Sequence, residues 1–191
     1  MKSTSFKTGL YVMALLFLTF GFSMAQMKSE KPKMVGGALM YPSKNIIRNA
    51  VNSKDHTTLV AAVKAAGLVS TLEGPGPFTV FAPTNEAFDE LPAGTVNTLL
   101  EPANKAELTA ILTYHVVRGK LNSRALMHMI KKGHGKAMLK TVNGGMLTVM
   151  MKGHHLWVID AKGDKAEVTI PDVYQSNGVI HVINKALLPG S

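Results

Sequence analysis

The sequence lacks cysteine altogether, and this absence excludes several classes of protein. Without a thiol, the chain can form no disulfide, no thiolate metal site and no lipid-modified N-terminal cysteine. Common catalytic motifs are also missing: there is no Gly-x-Ser-x-Gly elbow, no His-Glu-x-x-His pair and no phosphate-binding glycine loop. The adjacent acids Asp89 and Glu90 would point about 100° apart on a helix, which indicates a solvated face. We therefore expect a protein that is not an enzyme and needs no cofactor.

Acidic residues are scarce, with 12 Asp and Glu against 21 Lys and Arg, so the formal net charge is +9. The basic residues are spread along the chain and are not interleaved with aromatic residues, which make up only 6% of the sequence. This pattern argues against nucleic-acid binding. We expect instead a weak attraction to anionic surfaces, such as acidic polysaccharides or phospholipid headgroups.

Long apolar runs are also lacking, apart from one at residues 10–22. Lys2 and Lys7 precede this run and the small-residue segment 23–25 follows it, which is the pattern of a secretory signal peptide. The run is shorter than the roughly 20 residues that span a bilayer. We expect residues 1–25 to be a cleaved signal peptide and the protein to be periplasmic or secreted. A retained N-terminal anchor is the alternative.

The remaining chain divides into a short segment and one domain. Residues 26–44 contain lysines, prolines and a Gly-Gly pair, which indicate a linker with an N-terminal docking segment. Residues 45–191 are expected to form a single domain without an internal repeat. Apolar residues recur at helical spacing in 57–66 and 103–115, whereas the second half contains short strands and an Asn-Gly hairpin turn. Helices followed by strands predict an α+β domain.

Three sequence blocks carry a resemblance to a known family. They are residues 79–88 (TVFAPTNEAF), 114–117 (YHVV) and 177–189 (NGVIHVINKALLP). In this order and at this spacing they resemble the fasciclin-like (β-Ig-H3/fasciclin) domain family, in its bacterial single-domain secreted type. The resemblance implies a β-wedge of two small sheets with helices packed along one edge. It also implies a non-catalytic adhesion module of the cell envelope or the extracellular space.

The resemblance carries a possible adhesion role to seven residues of these blocks: Thr84, Asn85, Tyr114, His115, Asn177, Gly178 and His181. Their residue types also have structural explanations. Thr84 can cap a short helix with its hydroxyl group. His115 lies on the apolar face of a helix, a position typical of a buried histidine that is hydrogen-bonded to a backbone carbonyl. Adhesion and core integrity both remain open as roles for these residues.

The leading functional hypothesis is a binding or adhesion module that engages an envelope, matrix or cell-surface component, either a protein or a polysaccharide. Asp172 resembles the acidic step that precedes the last block in the family. In animal relatives, short acidic-aliphatic steps near the domain end act in integrin recognition. The tail at residues 184–188 contains no acid, which counts against integrin recognition for this chain.

Methionine and histidine suggest an alternative function. The chain contains 12 methionines, and the segment 150–155 reads MMKGHH, after Met-His-Met at 127–129. Thioethers and imidazoles favour Cu(I), so Met151, His154 and His155 are candidate metal ligands in a periplasmic carrier of copper. A carrier of a small apolar ligand belongs to the same alternative. Against a metal site, methionines often fill irregular cores, and strand alternation sends residues 150 and 151 to opposite faces.

Overall fold

A computed structural model describes residues 30–190. The expected signal peptide and the first part of the expected linker lie outside the described residues. None of the helices between residues 30 and 190 combines the length and the apolar composition needed to cross a membrane.

Helices dominate the first half of the described chain and strands the second half. The helices are α1 (Ile46–Ala50), α2 (Thr57–Ala66), α3 (Val69–Glu73), α4 (Asn85–Asp89), α5 (Thr95–Leu100), α6 (Lys105–Tyr114) and α7 (Ser123–Lys132). The strands are β1 (Lys33–Val35), β2 (Ala38–Met40), β3 (Phe78–Pro83), β4 (Val116–Arg118), β5 (Lys136–Lys140), β6 (Met146–Lys152), β7 (His155–Ile159), β8 (Lys165–Gln175) and β9 (Gly178–Ile183). Short 3₁₀ turns precede α2 and α6.

Seven strands form one bent sheet in the order β4-β3-β9-β8-β7-β6-β5. Its neighbouring pairs are antiparallel except β3 and β9, which are parallel. The long strand β8 pairs with β7 through residues 165–167 and with β9 through residues 168–175, with two register shifts in the second part. Because β8 belongs to both halves and its irregularities bend it, the sheet forms a wedge. The predicted α+β fold is confirmed.

The outer strands of the sheet meet each other. Val117 in β4 forms an isolated bridge with Thr141, just after β5, and the Val142 N–H donates to the Val116 carbonyl at 2.7 Å. Sheet edges with free backbone groups can pair with other chains. At this point each edge pairs with the other instead.

Two hydrophobic clusters fill the domain, and strands β3 and β9 contribute to both of them. Val80 and Ile180 belong to the cluster beneath helices α1–α6, whereas Phe81 and Ile183 belong to the cluster enclosed by α7 and strands β5–β8. All six residues of β9 are buried. A strand covered on both faces requires a nearly continuous apolar run, which explains the pattern of the last sequence block.

The N-terminal hairpin of β1 and β2 lies against β8. Val35 and Met40 are each 1% exposed, and the Lys33 ammonium group donates to the Pro171 carbonyl. The described part of the segment 26–44 therefore contains a hairpin that contacts the domain. Its outward residues include Met34, which is 58% exposed.

Candidate functional site

Thr84 and Asn85 connect the first sequence block to helices on either side of it. The Thr84 hydroxyl accepts a hydrogen bond from the Ala87 N–H at 3.3 Å and caps α4, as its position predicts. The Asn85 side chain accepts from the Thr58 N–H at 3.0 Å and donates to the Lys54 carbonyl at 2.8 Å. Asn85 therefore satisfies backbone groups at the start of α2, which precedes it by 27 residues.

Tyr114 links the end of α6 to the opposite half of the sheet. Its ring is fully buried in the cluster beneath α7. The hydroxyl donates to the Met146 carbonyl at 2.8 Å and accepts from the Ala161 N–H at 2.9 Å. Burial raises the pKa of this hydroxyl above its usual value, so it stays protonated and holds both bonds.

His115 joins α6 to the C-terminal segment. Its Nε2 accepts from the Leu187 N–H at 2.9 Å, so the ring proton must lie on Nδ1, which donates to the Ile111 carbonyl at 2.9 Å. The side chain is buried, and desolvation lowers its pKa to about 4. The ring is therefore neutral near pH 7, and both of its nitrogens are occupied.

Asn177 and Gly178 hold the last sequence block against the helical half. The Asn177 side chain accepts from the Ile46 N–H at 3.0 Å, across 131 residues of sequence, and donates to the Leu72 carbonyl at 2.7 Å. Gly178 lies against β3, where a Cβ atom would stand 2.1 Å from the Phe78 carbonyl oxygen. Only glycine allows the two parallel strands to approach this closely.

His181 is connected through Asp172 to the start of α7. The imidazole stacks on Phe81 with ring centroids 5.6 Å apart, accepts from the Asp172 N–H at 3.3 Å, and donates to the Leu121 carbonyl at 2.8 Å. Burial lowers the pKa of His181. The Asp172 carboxylate accepts from the Ser123 N–H at 2.6 Å and from the Ser123 hydroxyl, and so it binds the first turn of α7.

Ser123, Asp172 and His181 do not form a nucleophilic triad. In a triad, the serine hydroxyl is hydrogen-bonded to the histidine, which takes up its proton, and the acid orients the histidine. Here the Ser123 hydroxyl contacts the Asp172 carboxylate, and both nitrogens of His181 contact backbone groups. The arrangement stabilises a helix start, and His181 is not placed to take up the hydroxyl proton.

The polar residues of the sequence blocks thus form hydrogen bonds within the domain. Five of their polar residues use every side-chain nitrogen and oxygen in hydrogen bonds within the chain: Asn85, Tyr114, His115, Asn177 and His181. Tyr114, His115 and His181 are at most 2% exposed. A macromolecular partner could not touch these three side chains in the folded domain, so an effect of changing them on adhesion would pass through the fold.

The candidate metal ligands line one cleft with a residue from α7. Met151, His154 and His155, together with Met127 and Glu167, surround a concavity of about 430 Å³ between α7 and strands β6–β8, here called the methionine cleft. The His155 Nδ1 contacts the Glu167 carboxylate. The sequence analysis identified the Met-His-Met segment at 127–129, but it could not predict that Met127 lies beside the β6–β7 hairpin. Within residues 30–190, no three His, Asp or Glu side chains are grouped to hold a metal ion.

A second concavity, of about 730 Å³, adjoins the first, and the two share Ser123 and Met127. We call it the polar cleft. Its lining comes from the segment before β1, the start of α7 and β8, and includes Lys31, Lys33, Asn122, Arg124, Asp172 and Tyr174. Lys31 and Arg124 are exposed, and the Lys120 ammonium lies 5.0 Å from the centre of the Tyr174 ring. The sequence blocks do not include these basic residues, so the motifs gave no signal for them.

A third, enclosed cavity lies beneath the helices. It measures about 70 Å³, and its lining includes Leu59, Val63, Val80 and Leu112. An apolar cavity of roughly 150 Å³ accepts benzene, and typical ligand pockets measure about 300–1,000 Å³. This cavity therefore offers little room for a small apolar ligand.

Comparisons with known proteins agree with this architecture. The family model described as "Fasciclin domain" matches residues 54–189. The chain is 43% identical over 191 residues to "Protein sll1483" of Synechocystis, with 96% of this chain and 98% of that protein covered. It is 41% identical to "Transforming growth factor-beta-induced protein ig-h3" of Sus scrofa over 69% of this chain and 17% of that protein. It is 35% identical to "Immunogenic protein MPB70" of Mycobacterium bovis over 73% of this chain and 66% of that protein.

A solved structure of a FAS1 domain pair from the insect cell adhesion molecule Fasciclin I has the same fold. The TM-score is 0.69 at 19% identity, with 76% of this chain and 51% of that chain covered. At this identity the likeness concerns the fold alone. The family model, the relatives and the wedge with its three blocks lead to one conclusion: this chain belongs to the fasciclin domain family.

Proposed function

We propose that this protein is an exported, non-catalytic binding module that adheres to a cell-surface, envelope or matrix component. Family membership supports the proposal, because a solved FAS1 domain pair of the same fold comes from an insect cell adhesion molecule. The main support is a difference between the polar side chains of the sequence blocks and those of the polar cleft. The block residues are hydrogen-bonded internally, whereas the polar cleft keeps exposed charged side chains that can contact another molecule.

We place the contact with the partner at the polar cleft. Lys31 and Arg124 are exposed there, and Lys33 adds a third positive charge. The cations therefore outnumber the two carboxylates of the lining, Glu30 and Asp172. Tyr174 supplies an aromatic surface with a cation over it. Such a surface favours an acidic protein or polysaccharide, which it would bind by complementary shape and charge without making or breaking a bond.

Export is part of the proposal. The charged start, the apolar run and the small residues of segment 1–25 support cleavage and release into the periplasm or the medium. Loss of Lys2 and Lys7 with that segment would lower the formal charge from +9 to +7. N-terminal sequencing of protein recovered outside the cytoplasm should begin at Gln26. Recovery of protein that retains residues 1–25 would contradict this part.

The binding proposal is tested by retention of the purified protein on envelope and matrix fractions across a salt series. Because the polar cleft is charged, retention on a specific surface should be saturable and should weaken gradually as salt rises, since salt screens attraction between exposed charges. Retention that does not saturate and that depends only on salt would mean that net charge alone is responsible. No retention would contradict adhesion to these fractions.

Matched charge variants locate the surface. Lys31→Gln with Arg124→Gln removes two exposed charges from the polar cleft, whereas Lys131→Gln with Lys132→Gln removes two exposed charges from the far end of α7. The first variant should lose most retention, and the second should resemble the parent. Equal effects of the two variants would contradict the assignment to the polar cleft.

A further inference from the structure

We propose that the methionine cleft binds a soft monovalent cation, Cu(I), through the thioethers of Met127 and Met151 and the imidazole of His155. This site adjoins the polar cleft, with which it shares Met127, and it would take a different kind of ligand. The proposal rests on three features: which residues meet in the cleft, how His155 is oriented, and which metals suit these ligands.

The fold brings together residues that are distant in sequence. Met127 lies on α7, Met151 near the end of β6 and His155 at the start of β7, and all three line the same concavity. The cleft opens because β7 and β8 separate: their pairing stops at Trp157 and Glu167 and does not extend to His155. The predicted separation of residues 150 and 151 onto opposite faces is compatible with this site, because the second thioether comes from α7.

Met127 is 44% exposed, so its thioether is accessible from solvent. Met151 is partly buried and packs against the cluster beneath α7. One thioether is therefore fixed by packing, and the other lies at the mouth of the cleft. A metal ion could therefore enter the cleft from solvent and bind one thioether that packing holds in place.

His155 is oriented by a carboxylate. Its Nδ1 lies in hydrogen-bond contact with Glu167, so the ring donates its Nδ1 proton and leaves the Nε2 lone pair for another partner. Metal-binding histidines in proteins usually have this arrangement, in which a carboxylate fixes the tautomer and raises the basicity of the other nitrogen. His154, the preceding residue, lies in the hairpin turn at the edge of the cleft.

The chemical type of the ligands favours Cu(I) over Zn²⁺. Zn²⁺ prefers thiolate, imidazole and carboxylate ligands. No group of three His, Asp or Glu residues suited to a metal occurs in the described part of the chain, and the sequence has no cysteine. Thioethers are soft ligands that favour Cu(I). Ag(I) has similar softness and does not change oxidation state in air, so it is a suitable probe.

The test is a titration of the purified protein with Ag(I) by calorimetry, followed by Cu(I) in competition with a chromogenic Cu(I) chelator under reducing, anaerobic conditions. We expect one ion per chain. In spectra of the methionine methyl groups, the Met127 and Met151 signals should shift first. Binding of Zn²⁺ as tight as that of Ag(I) would contradict a thioether site.

Matched variants distinguish the cleft from other thioethers. Met127→Leu with Met151→Leu keeps side-chain volume and should weaken Ag(I) binding by about 100-fold or more, since loss of an outer-shell partner alone costs about 10–100-fold. The control is Met138→Leu with Met146→Leu, which removes two exposed thioethers outside the cleft, 62% and 38% exposed. The control should bind within about twofold of the parent. Equal losses in both variants, or no loss in the first, would overturn the proposal.

Glu167→Gln tests the role assigned to the carboxylate. The variant keeps a hydrogen-bond acceptor but loses the carboxylate charge that holds the His155 ring in place, so affinity should fall by about 10-fold. His155→Asn should reduce affinity more than His154→Asn does. Unchanged affinity in His155→Asn would remove the imidazole from the site, and circular dichroism would establish that each variant is folded.

Discussion

Two regions of this domain use their polar and soft side chains in opposite ways. The motif core (Asn85, Tyr114, His115, Asn177 and His181) directs them inward, where each one satisfies backbone groups from a distant segment. The cleft face (Lys31, Arg124, Met127, Met151 and His155) presents them at two concavities. The motif-core residues therefore hold the wedge together, and the residues that we propose for binding lie outside the recognisable blocks.

This difference predicts that changes in the motif core will alter stability and that changes in the cleft face will alter binding. The expected effects on the free energy of unfolding range from several kcal/mol to almost none.

The largest loss of stability is expected for Gly178→Ala. A Cβ atom at this position would lie 2.1 Å from the Phe78 carbonyl oxygen, so the parallel pair β3 and β9 would have to separate. We expect the free energy of unfolding to fall by about 4 kcal/mol, as measured by urea denaturation. As a control, Gly190→Ala meets only a side-chain methyl group at 3.2 Å and should cost less than about 1 kcal/mol. Similar losses in both variants would contradict the close-approach argument.

The next largest loss of stability is expected on acidification. Burial lowers the pKa of His56, His115 and His181, so below pH 6.5 the unfolded chain binds protons that the folded chain does not. Stability is therefore lost as the pH falls from 6.5 towards the folded value, which is about 4 for His115. His115 alone should account for about 2 kcal/mol between about pH 6.5 and 5.

Urea unfolding at several pH values in this range measures the acid effect. In His115→Gln, the loss of stability on acidification should be smaller by the contribution of His115, because glutamine does not titrate. A parent protein with constant stability between about pH 6.5 and 5, or a variant with undiminished pH dependence, would contradict the assignment of a neutral buried imidazole.

His115→Ala should be less disruptive than Gly178→Ala but clearly destabilising. The change leaves the Leu187 N–H and the Ile111 carbonyl without their partner inside the protein. We expect a loss of about 1–3 kcal/mol, visible as a lower melting temperature. A melting temperature equal to that of the parent would indicate that this histidine does not stabilise the core.

The smallest change in stability is expected in the polar cleft. Lys31 and Arg124 are exposed, so Lys31→Gln with Arg124→Gln should alter the free energy of unfolding by less than about 0.5 kcal/mol. The same variant should lose retention on envelope and matrix fractions. A large drop in melting temperature would show that these residues are structural and would remove the distinction between the two regions.

Local patterns were sufficient to predict α2, α6 and the strands of the second half, but not the short elements β1, β2, α1, α3 and α5. The helix cap at Thr84 and the buried position of His115 follow from residue type and helical spacing, and the structure confirms both. The apolar run of β9 indicated a buried strand, and all six of its residues are buried. The blocks also indicated the family, which the comparisons confirm.

Contacts between distant segments could not be predicted in this way. Asn177 binds the Ile46 N–H across 131 residues, and no periodicity in the sequence indicates that pair. The methionine cleft is a similar case. Strand alternation separated residues 150 and 151 onto opposite faces, but the position of Met127 depends on how α7 packs against β6. A one-dimensional pattern describes the faces of an element and does not specify which other element will cover them.

We expect the motif core to affect retention only through the fold, and the polar cleft to affect it through direct contact. Retention on matrix and envelope fractions should therefore be measured for His115→Ala and for Lys31→Gln with Arg124→Gln, at a temperature where circular dichroism shows both variants to be folded. Folded His115→Ala should be retained like the parent, and the cleft variant should not be. Loss of retention by folded His115→Ala, with normal retention of the cleft variant, would show that the two regions have the opposite roles.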